Sequence, residues 1–248
     1  MFNGPNIVTS GLILALDAAN RKSYPGSGTA WSDLVGSNNG TLTNGPTFNS
    51  DNAGSIVFDG TNDYVAITTG SGLNIGVNFT IQTWCKPAKF GGAIGGNFNR
   101  GSIFTNSYPY STGQGVYISF TSQAANFLAT PGAETVFISM GADQHVSSPI
   151  TGSLTPFVNQ WVNMAFTVNG TSAMRIYING VEPIYFGGAP GNGPASWSYT
   201  AGPCSIGNRN NSVEFFSGSF GYFQIYNRAL TAAEIQQNYN STKSRFNL

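Results

Sequence analysis

Charge is what this sequence has least of. Only 8% of the 248 residues are charged, and 10 acidic side chains balance 10 basic ones to a formal net charge of zero. Affinity for nucleic acid depends on clustered lysine and arginine, and no such cluster exists here. The sequence therefore predicts no nucleic-acid partner.

Long apolar runs and cysteines are also scarce. No apolar run approaches the roughly 18 residues that a membrane span needs, so we expect no membrane insertion. The N-terminus lacks a basic start followed by a long apolar core, which predicts no secretory signal. The two cysteines, Cys85 and Cys204, fall in predicted strands. They are expected to be buried thiols rather than a disulfide or a metal pair.

Glycine is abundant, at 32 residues, and asparagine, serine and threonine crowd the gaps between apolar runs. That mixture is typical of many short strands joined by turns. The chain shows no linker and no internal repeat, so residues 1–248 are expected to form a single domain. The predicted strands cover residues 12–18, 55–58, 63–67, 79–86, 101–105, 115–120, 134–140, 161–168, 174–178, 181–186, 204–207 and 218–226.

One turn stands at the centre of this pattern. Asp59-Gly60 separates two short apolar runs, and a glycine that accepts positive φ at such a place predicts a β-hairpin. In the second run, Tyr64 and Ala66 are expected on one face, opposite Val65 and Ile67. The Asp59 and Asp63 carboxylates bracket the turn. They either accept hydrogen bonds from turn amides or hold a hard cation together with nearby carbonyls.

Later turns and the C-terminus give further local signals. Asn169-Gly170 and Asn179-Gly180 separate alternating runs and predict an antiparallel meander. Thr231 and Glu234 have the spacing of a capping box, which predicts a short helix reaching about residue 240. Ile235 and Tyr239, four residues apart, are expected to face the sheet.

These blocks together resemble a known family. Five blocks are similar, in order and spacing, to those of LamG-like, concanavalin A-like jelly rolls. They are residues 58–65 (FDGTNDYV), 79–84 (FTIQTW), 161–168 (WVNMAFTV), 175–181 (RIYINGV) and 225–235 (IYNRALTAAEI). The resemblance implies an all-β fold: a two-sheet antiparallel jelly-roll sandwich with a short C-terminal helix. Trp84 and Trp161 are then expected to lie in or beside the core.

The resemblance also frames the expectation about catalysis. Glucanase relatives use a Glu-x-Asp-x-x-Glu strand, because glycoside cleavage needs two carboxylates facing one bond. The glutamates of this chain are Glu134, Glu182, Glu214 and Glu234, and none has a second acid at that spacing. The single histidine, His145, has no activated serine nearby in sequence, and residues 143–145 are expected in an exposed loop. We therefore predict no enzyme activity.

A calcium ion is the one cofactor that the resemblance implies. LamG-like domains often hold calcium at the sandwich edge, through an aspartate of the hairpin and carbonyls near the last strand. Asp63 occupies the matching position, with Asp59 beside it. The closing strand has Gly221-Tyr222 where relatives often have Asp-Glu, and fewer carboxylates lower the expected affinity.

Glycan binding is the natural functional hypothesis for this fold. Sugar sites need aromatic faces that stack on rings and amides that bond hydroxyls. The sequence offers Phe98, Asn99, Tyr108, Tyr110, Trp197 and Tyr199 as candidate glycan-binding residues. The alternative is that these loop aromatics pack on neighbouring subunits or cover a core edge.

The amino-terminal blocks, Leu16-Asp17 with residues 24–28 (YPGSG) and 40–44 (GTLTN), resemble versions met in phage and viral structural proteins. Together with the neutral surface, this predicts a non-catalytic virion protein at the particle surface: a decoration, fibre or tail-associated subunit. Its partners would be capsid or tail subunits, further copies of itself and host or environmental polysaccharide. The alternative is a cellular carbohydrate-binding module or adhesin domain, extracellular or on the cell surface.

Overall fold

A computed structural model describes residues 6–67, 73–89, 100–106, 115–121, 135–140, 144–148, 154–170, 173–185, 203–209 and 214–248. At positions 100, 121, 135, 137, 139–140 and 144–148 it describes the backbone alone. The strands in this part of the chain are β1 (Leu12–Asp17), β2 (Ala30–Trp31), β3 (Gly40–Thr43), β4 (Thr47–Asn49), β5 (Ser55–Asp59), β6 (Tyr64–Ile67), β7 (Asn78–Pro87), β8 (Arg100–Asn106), β9 (Val116–Thr121), β10 (Thr135–Met140), β11 (Gln144–Ser148), β12 (Val162–Asn169), β13 (Ala173–Ile178), β14 (Cys204–Ile206) and β15 (Ser217–Tyr226).

One helix, α1 (Ala232–Thr242), and short 3₁₀ turns at Asp51–Ala53, Thr155–Phe157 and Lys243–Phe246 complete the described secondary structure. None of the described helices is long and apolar enough to cross a membrane.

The strands form two antiparallel sheets. Sheet A has the order β13-β12-β7-β15-β5-β4, and β1 also pairs with β15. Sheet B has the order β11-β10-β9-β8-β14-β6-β3-β2. Apolar side chains from both sheets fill the space between them, including Phe104 from sheet B and Phe223 from sheet A, whose ring centroids lie 6.1 Å apart. The predicted all-β, two-sheet jelly-roll sandwich with a short C-terminal helix is confirmed.

The C-terminal helix covers the outer face of sheet A. The capping box is present, because Thr231 Oγ1 accepts from the Glu234 amide and the Glu234 carboxylate accepts from the Thr231 amide. Ile235 is fully buried, and the Tyr239 ring stacks on Trp84 at 5.7 Å between centroids. The predicted helix and its inward face are confirmed.

Several side chains also lie where the sequence predicted. Cys85 and Cys204 are buried thiols that form no disulfide with each other. Trp84 is buried, and Trp161 is half-buried against the cluster around it. On β6, Val65 and Ile67 face the core while Tyr64 and Ala66 lie on the opposite face.

The predicted central hairpin is wrong. β5 and β6 both form, but β5 pairs with β4 and β15 in sheet A, whereas β6 pairs with β3 and β14 in sheet B. The Asp59–Asp63 turn is therefore a corner that carries the chain from one sheet to the other. A local turn signal does not distinguish these outcomes, because Gly60 needs its positive φ (77°) in either one.

Two further expectations need correction. Asn169-Gly170 connects the paired strands β12 and β13, but after Asn179-Gly180 only an isolated bridge between Ile178 and Val181 forms in the described residues up to 185. The expected exposed loop around His145 is instead an edge strand, since β11 pairs with β10 along its whole length. Asp143 lies outside the described residues.

Candidate functional site

The outer face of sheet B is built of small and polar residues. One row of paired positions crosses the sheet from β3 to β9, and its members alternate with core residues along each strand. The row comprises Thr41, Ala66, Ser205, Thr105 and Tyr117. The neighbouring row, which faces the core, comprises Leu42, Val65, Ile206, Phe104 and Ile118. By backbone register the outer row continues to Ser139 and His145.

The centre of this face is a group of polar side chains, all buried except the part-buried Arg209, that we call the polar patch. Its members come from β8, β9 and β14 and from the connection between β14 and β15. They are Ser102, Thr105, Tyr117, Ser119, Ser205, Asn208, Arg209 and Glu214.

Glu214 joins the connection to the sheet. The Tyr117 hydroxyl donates to the Glu214 carboxylate, and Arg209 Nη1 lies 3.0 Å from Glu214 Oε1. Arg209 also places its guanidinium carbon 5.8 Å from the centre of the Tyr117 ring. The Glu214 backbone has φ of 58°, and its carbonyl accepts from the Ser102 amide at 2.9 Å. A buried acid is therefore paired with a cation and a phenol directly above the sheet.

Burial raises the pKa of Tyr117 far above its ordinary value, and the negative charge of Glu214 raises it further. The nearby hydroxyls of Ser119 and Ser102 act in the opposite direction. The phenol consequently stays protonated at physiological pH, which keeps it a hydrogen-bond donor to Glu214.

The base of the connection is fixed by Asn208. Its carbonyl accepts from Thr105 Oγ1 at 3.0 Å and from Ser205 Oγ at 3.4 Å. Gly207, directly before it, has φ of 88°, and a Cβ there would lie 2.8 Å from a Phe58 ring carbon. Glycine is thus required at this position.

The polar patch contains unused hydrogen-bonding capacity. Within the described part of the chain, Ser102 Oγ, Ser119 Oγ and both polar atoms of the Asn208 amide are buried and make no hydrogen bond of normal geometry. Buried polar atoms are nearly always bonded to protein, water or ligand. Several such atoms on one face therefore indicate a place that takes a further polar partner.

The same face opens towards β3 and β6. Thr41 is exposed, and Thr43, Tyr64 and Ala66 are half-buried. Tyr64 is paired with Thr43 in register, so an aromatic side chain lies among hydroxyls there. Sheet B thus presents an open end with an aromatic ring and a buried end with hydrogen-bonding groups.

The carboxylates of the Asp59–Asp63 corner bond the turn itself. Asp59 Oδ1 accepts from the amides of Thr61 at 2.7 Å and Asn62 at 3.3 Å, and Asp63 Oδ2 accepts from the Asp59 amide at 3.0 Å. Burial raises the pKa of Asp63, the amide of Asp59 lowers it, and the charge of Asp59 adds to the rise. For Asp59, partial burial raises the pKa, but hydrogen bonds from the Thr61, Asn62 and Asp63 amides outweigh it and leave the pKa low.

This geometry fits the turn-pinning role that the sequence allowed. Among the described residues, no group of three or more His, Cys, Asp or Glu side chains is arranged to hold a metal ion. A cation at this corner would depend on these carboxylates and on backbone carbonyls, a ligand set of low charge.

The predicted glycan-binding residues Phe98, Asn99, Tyr108, Tyr110, Trp197 and Tyr199 lie outside the described residues. In sequence they precede or follow β8 and β14, the two adjacent strands that carry much of the polar patch.

The polar patch itself was missed from the sequence. Residues 115–120 are predicted as a strand, and the polar groups of Tyr117 and Ser119, two residues apart within it, were the available signal. For Glu214, the sequence shows only that no second acid lies at the spacing of a catalytic pair. Its real partners, Tyr117 and Arg209, are brought to it by the pairing of β14 with β8 and β8 with β9.

A family model described as the concanavalin A-like lectin/glucanases superfamily matches residues 59–236 of the chain. The chain belongs to this superfamily. No curated protein sequence matches it significantly.

Solved structures agree on the fold of this superfamily member. Domain 4 of AbnA, an extracellular arabinanase from Geobacillus stearothermophilus solved in complex with arabinotriose, is similar with a TM-score of 0.63 at 18% identity, covering 94% of this chain and 100% of that one. The botulinum neurotoxin serotype D binding domain is similar at 0.63 and 16% identity, covering 92% of this chain and 51% of that one.

A third similar structure is Trypanosoma rangeli sialidase in complex with the inhibitor DANA. Its TM-score is 0.61 at 13% identity, covering 96% of this chain. This chain spans about a third of the sialidase, 34%, and about half of the neurotoxin structure, 51%. At these identities the likeness concerns the fold alone.

Proposed function

We propose that this chain is a non-catalytic carbohydrate-binding module that binds saccharide on the outer face of sheet B. The observation that carries the proposal is the unused hydrogen-bonding capacity of Ser102, Ser119 and Asn208 in the polar patch. Serine hydroxyls and a side-chain amide both donate and accept, which matches the many hydroxyl groups of a sugar.

The open end of the face complements the buried end. Tyr64 offers an aromatic ring for stacking on a sugar ring, and Thr41 and Thr43 offer hydroxyls beside it. A saccharide lying along the paired row would contact Tyr64 first and direct hydroxyls towards Ser205 and Thr105. Phe98, Asn99, Tyr108, Tyr110, Trp197 and Tyr199 are proposed as further contacts, on sequence grounds.

The absence of catalysis remains part of the proposal. Glycoside cleavage needs two carboxylates across one bond. Among the described residues of the polar patch, Glu214 is the only acid, and its carboxylate already binds Tyr117 and Arg209. A screen of plant, algal and bacterial polysaccharides is expected to show no turnover, and reproducible product release would contradict this part.

The particle surface is the proposed location. Its support is the resemblance of the amino-terminal blocks to phage and viral structural proteins, together with the neutral surface. The proposed partners are capsid or tail subunits and further copies of the chain. Co-purification with intact particles supports this location, whereas an isolated monomer that binds one oligosaccharide tightly favours a cellular module.

A glycan array with purified protein, in calcium and in chelator, tests the binding proposal. Arabino-oligosaccharides are an informative addition, because domain 4 of AbnA was solved with arabinotriose. Selective binding of one saccharide class is expected. A blank array in both buffers contradicts the proposal and favours a structural subunit whose loop aromatics pack on a partner.

Calcium at Asp63 and Asp59 is a separate proposal. The corner offers two carboxylates and neighbouring carbonyls, the oxygen ligands that calcium uses, with a low ligand charge that predicts weak affinity. Millimolar calcium is expected to raise the melting temperature, and Asp63→Asn to abolish that rise. A melting temperature unchanged by calcium and chelator contradicts it.

A further inference from the structure

A compact cluster of oxygen atoms surrounds one guanidinium at the edge of sheet A. Arg245 donates from Nη1 to Asp17 Oδ1 at 2.6 Å and from Nε to the Asn52 carbonyl at 2.8 Å. Its Nη2 donates to the Gly54 carbonyl at 2.5 Å and the Gly221 carbonyl at 3.1 Å. We call these four oxygens, from Asp17, Asn52, Gly54 and Gly221, the oxygen cage.

The backbone that supplies two of the cage oxygens, from Asn52 and Gly54, has an unusual conformation. Asn52, Ala53 and Gly54 have consecutive positive φ values of 53°, 65° and 139°. Side chains rarely adopt this conformation, and such local strain persists only where surrounding contacts hold it. At Gly54 a Cβ would lie 2.6 Å from the Ala18 carbonyl, so the position requires glycine.

The backbone of Arg245 and the residues next to it are also held in place. Asn52 Nδ2 donates to the Arg245 carbonyl at 3.1 Å, and Trp161 Nε1 donates to Asn52 Oδ1 at 2.9 Å. The next residue, Phe246, is buried and stacks on Trp84 with centroids 4.3 Å apart. The Arg245 backbone is therefore held by these contacts in addition to those that its guanidinium makes.

The chemistry of the cage is that of a cation site. It consists of three neutral carbonyls and one carboxylate, an all-oxygen set of the kind that hard cations take. The Arg245 and Asp17 side chains are 17% and 23% exposed, so the charge is largely removed from water. Without a positive charge, the converging oxygens would repel one another in a poorly solvated place.

We propose that the oxygen cage is a cation-binding site whose cation is the protein's own Arg245. The guanidinium occupies the centre and makes the local fold independent of a bound ion. When that side chain is removed, a small cation takes its place. This inference is independent of the proposed saccharide binding, because it concerns the opposite sheet.

The test is rescue of Arg245→Ala by small cations. We expect its melting temperature to fall, and millimolar methylguanidinium or calcium chloride to restore about 3 °C or more. The wild type and Arg175→Ala are the references, since Arg175 pairs with Glu182 and its side chain is 34% exposed. The cation must raise the melting temperature of Arg245→Ala by more than it raises that of either reference. This comparison separates rescue at the oxygen cage from any effect of calcium at Asp63.

Adding Asp17→Asn to Arg245→Ala should abolish the rescue by calcium, because it removes the only charged ligand of the cage. A folded Arg245→Ala protein that gains no more stability from either cation than the references overturns the proposal. If Arg245→Ala does not fold, Arg245→Lys and Arg245→Gln replace it. The lysine variant should melt at the higher temperature, and an equal or reversed order overturns the proposal.

Discussion

Glu214 and Tyr117 are both buried, and each satisfies the hydrogen-bonding capacity of the other. The carboxylate accepts from the Tyr117 hydroxyl and pairs with Arg209, so its charge is compensated although it is buried. Removing one partner of a buried charged group is costly, because the group that remains is shielded from water and has no hydrogen bond to replace the lost one. The stability of the connection between β14 and β15 therefore depends on this pair.

Tyr117→Phe is expected to lower the free energy of unfolding by about 1–3 kcal/mol, because it removes one donor to the buried Glu214 carboxylate. Denaturant unfolding measures the change. Tyr64→Phe is the matched control, since Tyr64 is half-buried on the same face, and its effect should stay within about 0.5 kcal/mol. Equal effects of the two variants contradict the assigned role of Tyr117.

A second residue pair predicts pH dependence. Arg228 donates two hydrogen bonds to Glu234, at 2.9 and 2.6 Å, and this pairing is the main reason that the pKa of Glu234 falls to about 2. Burial opposes the shift, and the Thr231 amide adds to it. The folded-state pKa lies below the ordinary value of 4.5, so the pair stabilises the fold above that pH.

This stability is expected to be lost as the pH falls from about 4.5 to about 2. Melting temperatures recorded across this range should fall less steeply for Glu234→Gln than for the wild type. Parallel curves would show that Glu234 does not titrate with the folded state.

At the scale of elements, a polar network docks α1 on sheet A. Asn238 Nδ2 donates to Gln82 Oε1 on β7 at 2.9 Å and to the Tyr226 hydroxyl on β15 at 3.0 Å. Its Oδ1 accepts from the Val8 amide at 2.7 Å. One buried side chain thus joins the helix, two central strands and the amino-terminal segment, which fixes the helix in a single position.

Asn238→Ala is expected to cost about 2–3 kcal/mol of unfolding free energy, because several buried partners lose their hydrogen bonds together. Asn240→Ala, an exposed position on the same helix, should be nearly neutral. Denaturant unfolding of both variants measures the difference. A small and equal effect would show that apolar packing alone docks the helix.

The same scale shows how far local patterns predict this fold. The period-two runs predicted β7 and β12 because their core-facing positions are filled by apolar residues such as Ile81 and Phe166. The capping box predicted α1 because its hydrogen bonds are made within a few residues. Features determined by neighbours in sequence could therefore be predicted from the sequence.

Features determined by partners far along the chain could not be predicted from the sequence. The Asp59–Asp63 turn is a corner because β5 pairs with strands of sheet A and β6 with strands of sheet B. β11 was missed because the polar stretch Gln144–Ser148 forms a strand by pairing with β10, and not by an apolar face of its own. The polar patch likewise required the strand order of sheet B, which the sequence does not display.

At the scale of the whole molecule, the two outer faces differ in kind. The outer face of sheet A is covered by α1 and the residues around Val8, through a mainly apolar contact. The outer face of sheet B is polar from Thr41 to Tyr117, and part of its hydrogen-bonding capacity is unused. Ligand binding is therefore expected on sheet B, away from the helix and the oxygen cage.

Saccharide affinity of a Ser102→Ala, Ser119→Ala double variant tests this claim most directly. These hydroxyls make no protein hydrogen bond of normal geometry in the described structure, so their loss should leave stability unchanged or raised. Titration with the saccharide selected on the array should show about ten- to a hundredfold weaker binding. Ser55→Ala, a buried serine on sheet A, should bind like the wild type. Wild-type affinity in the double variant would contradict the account.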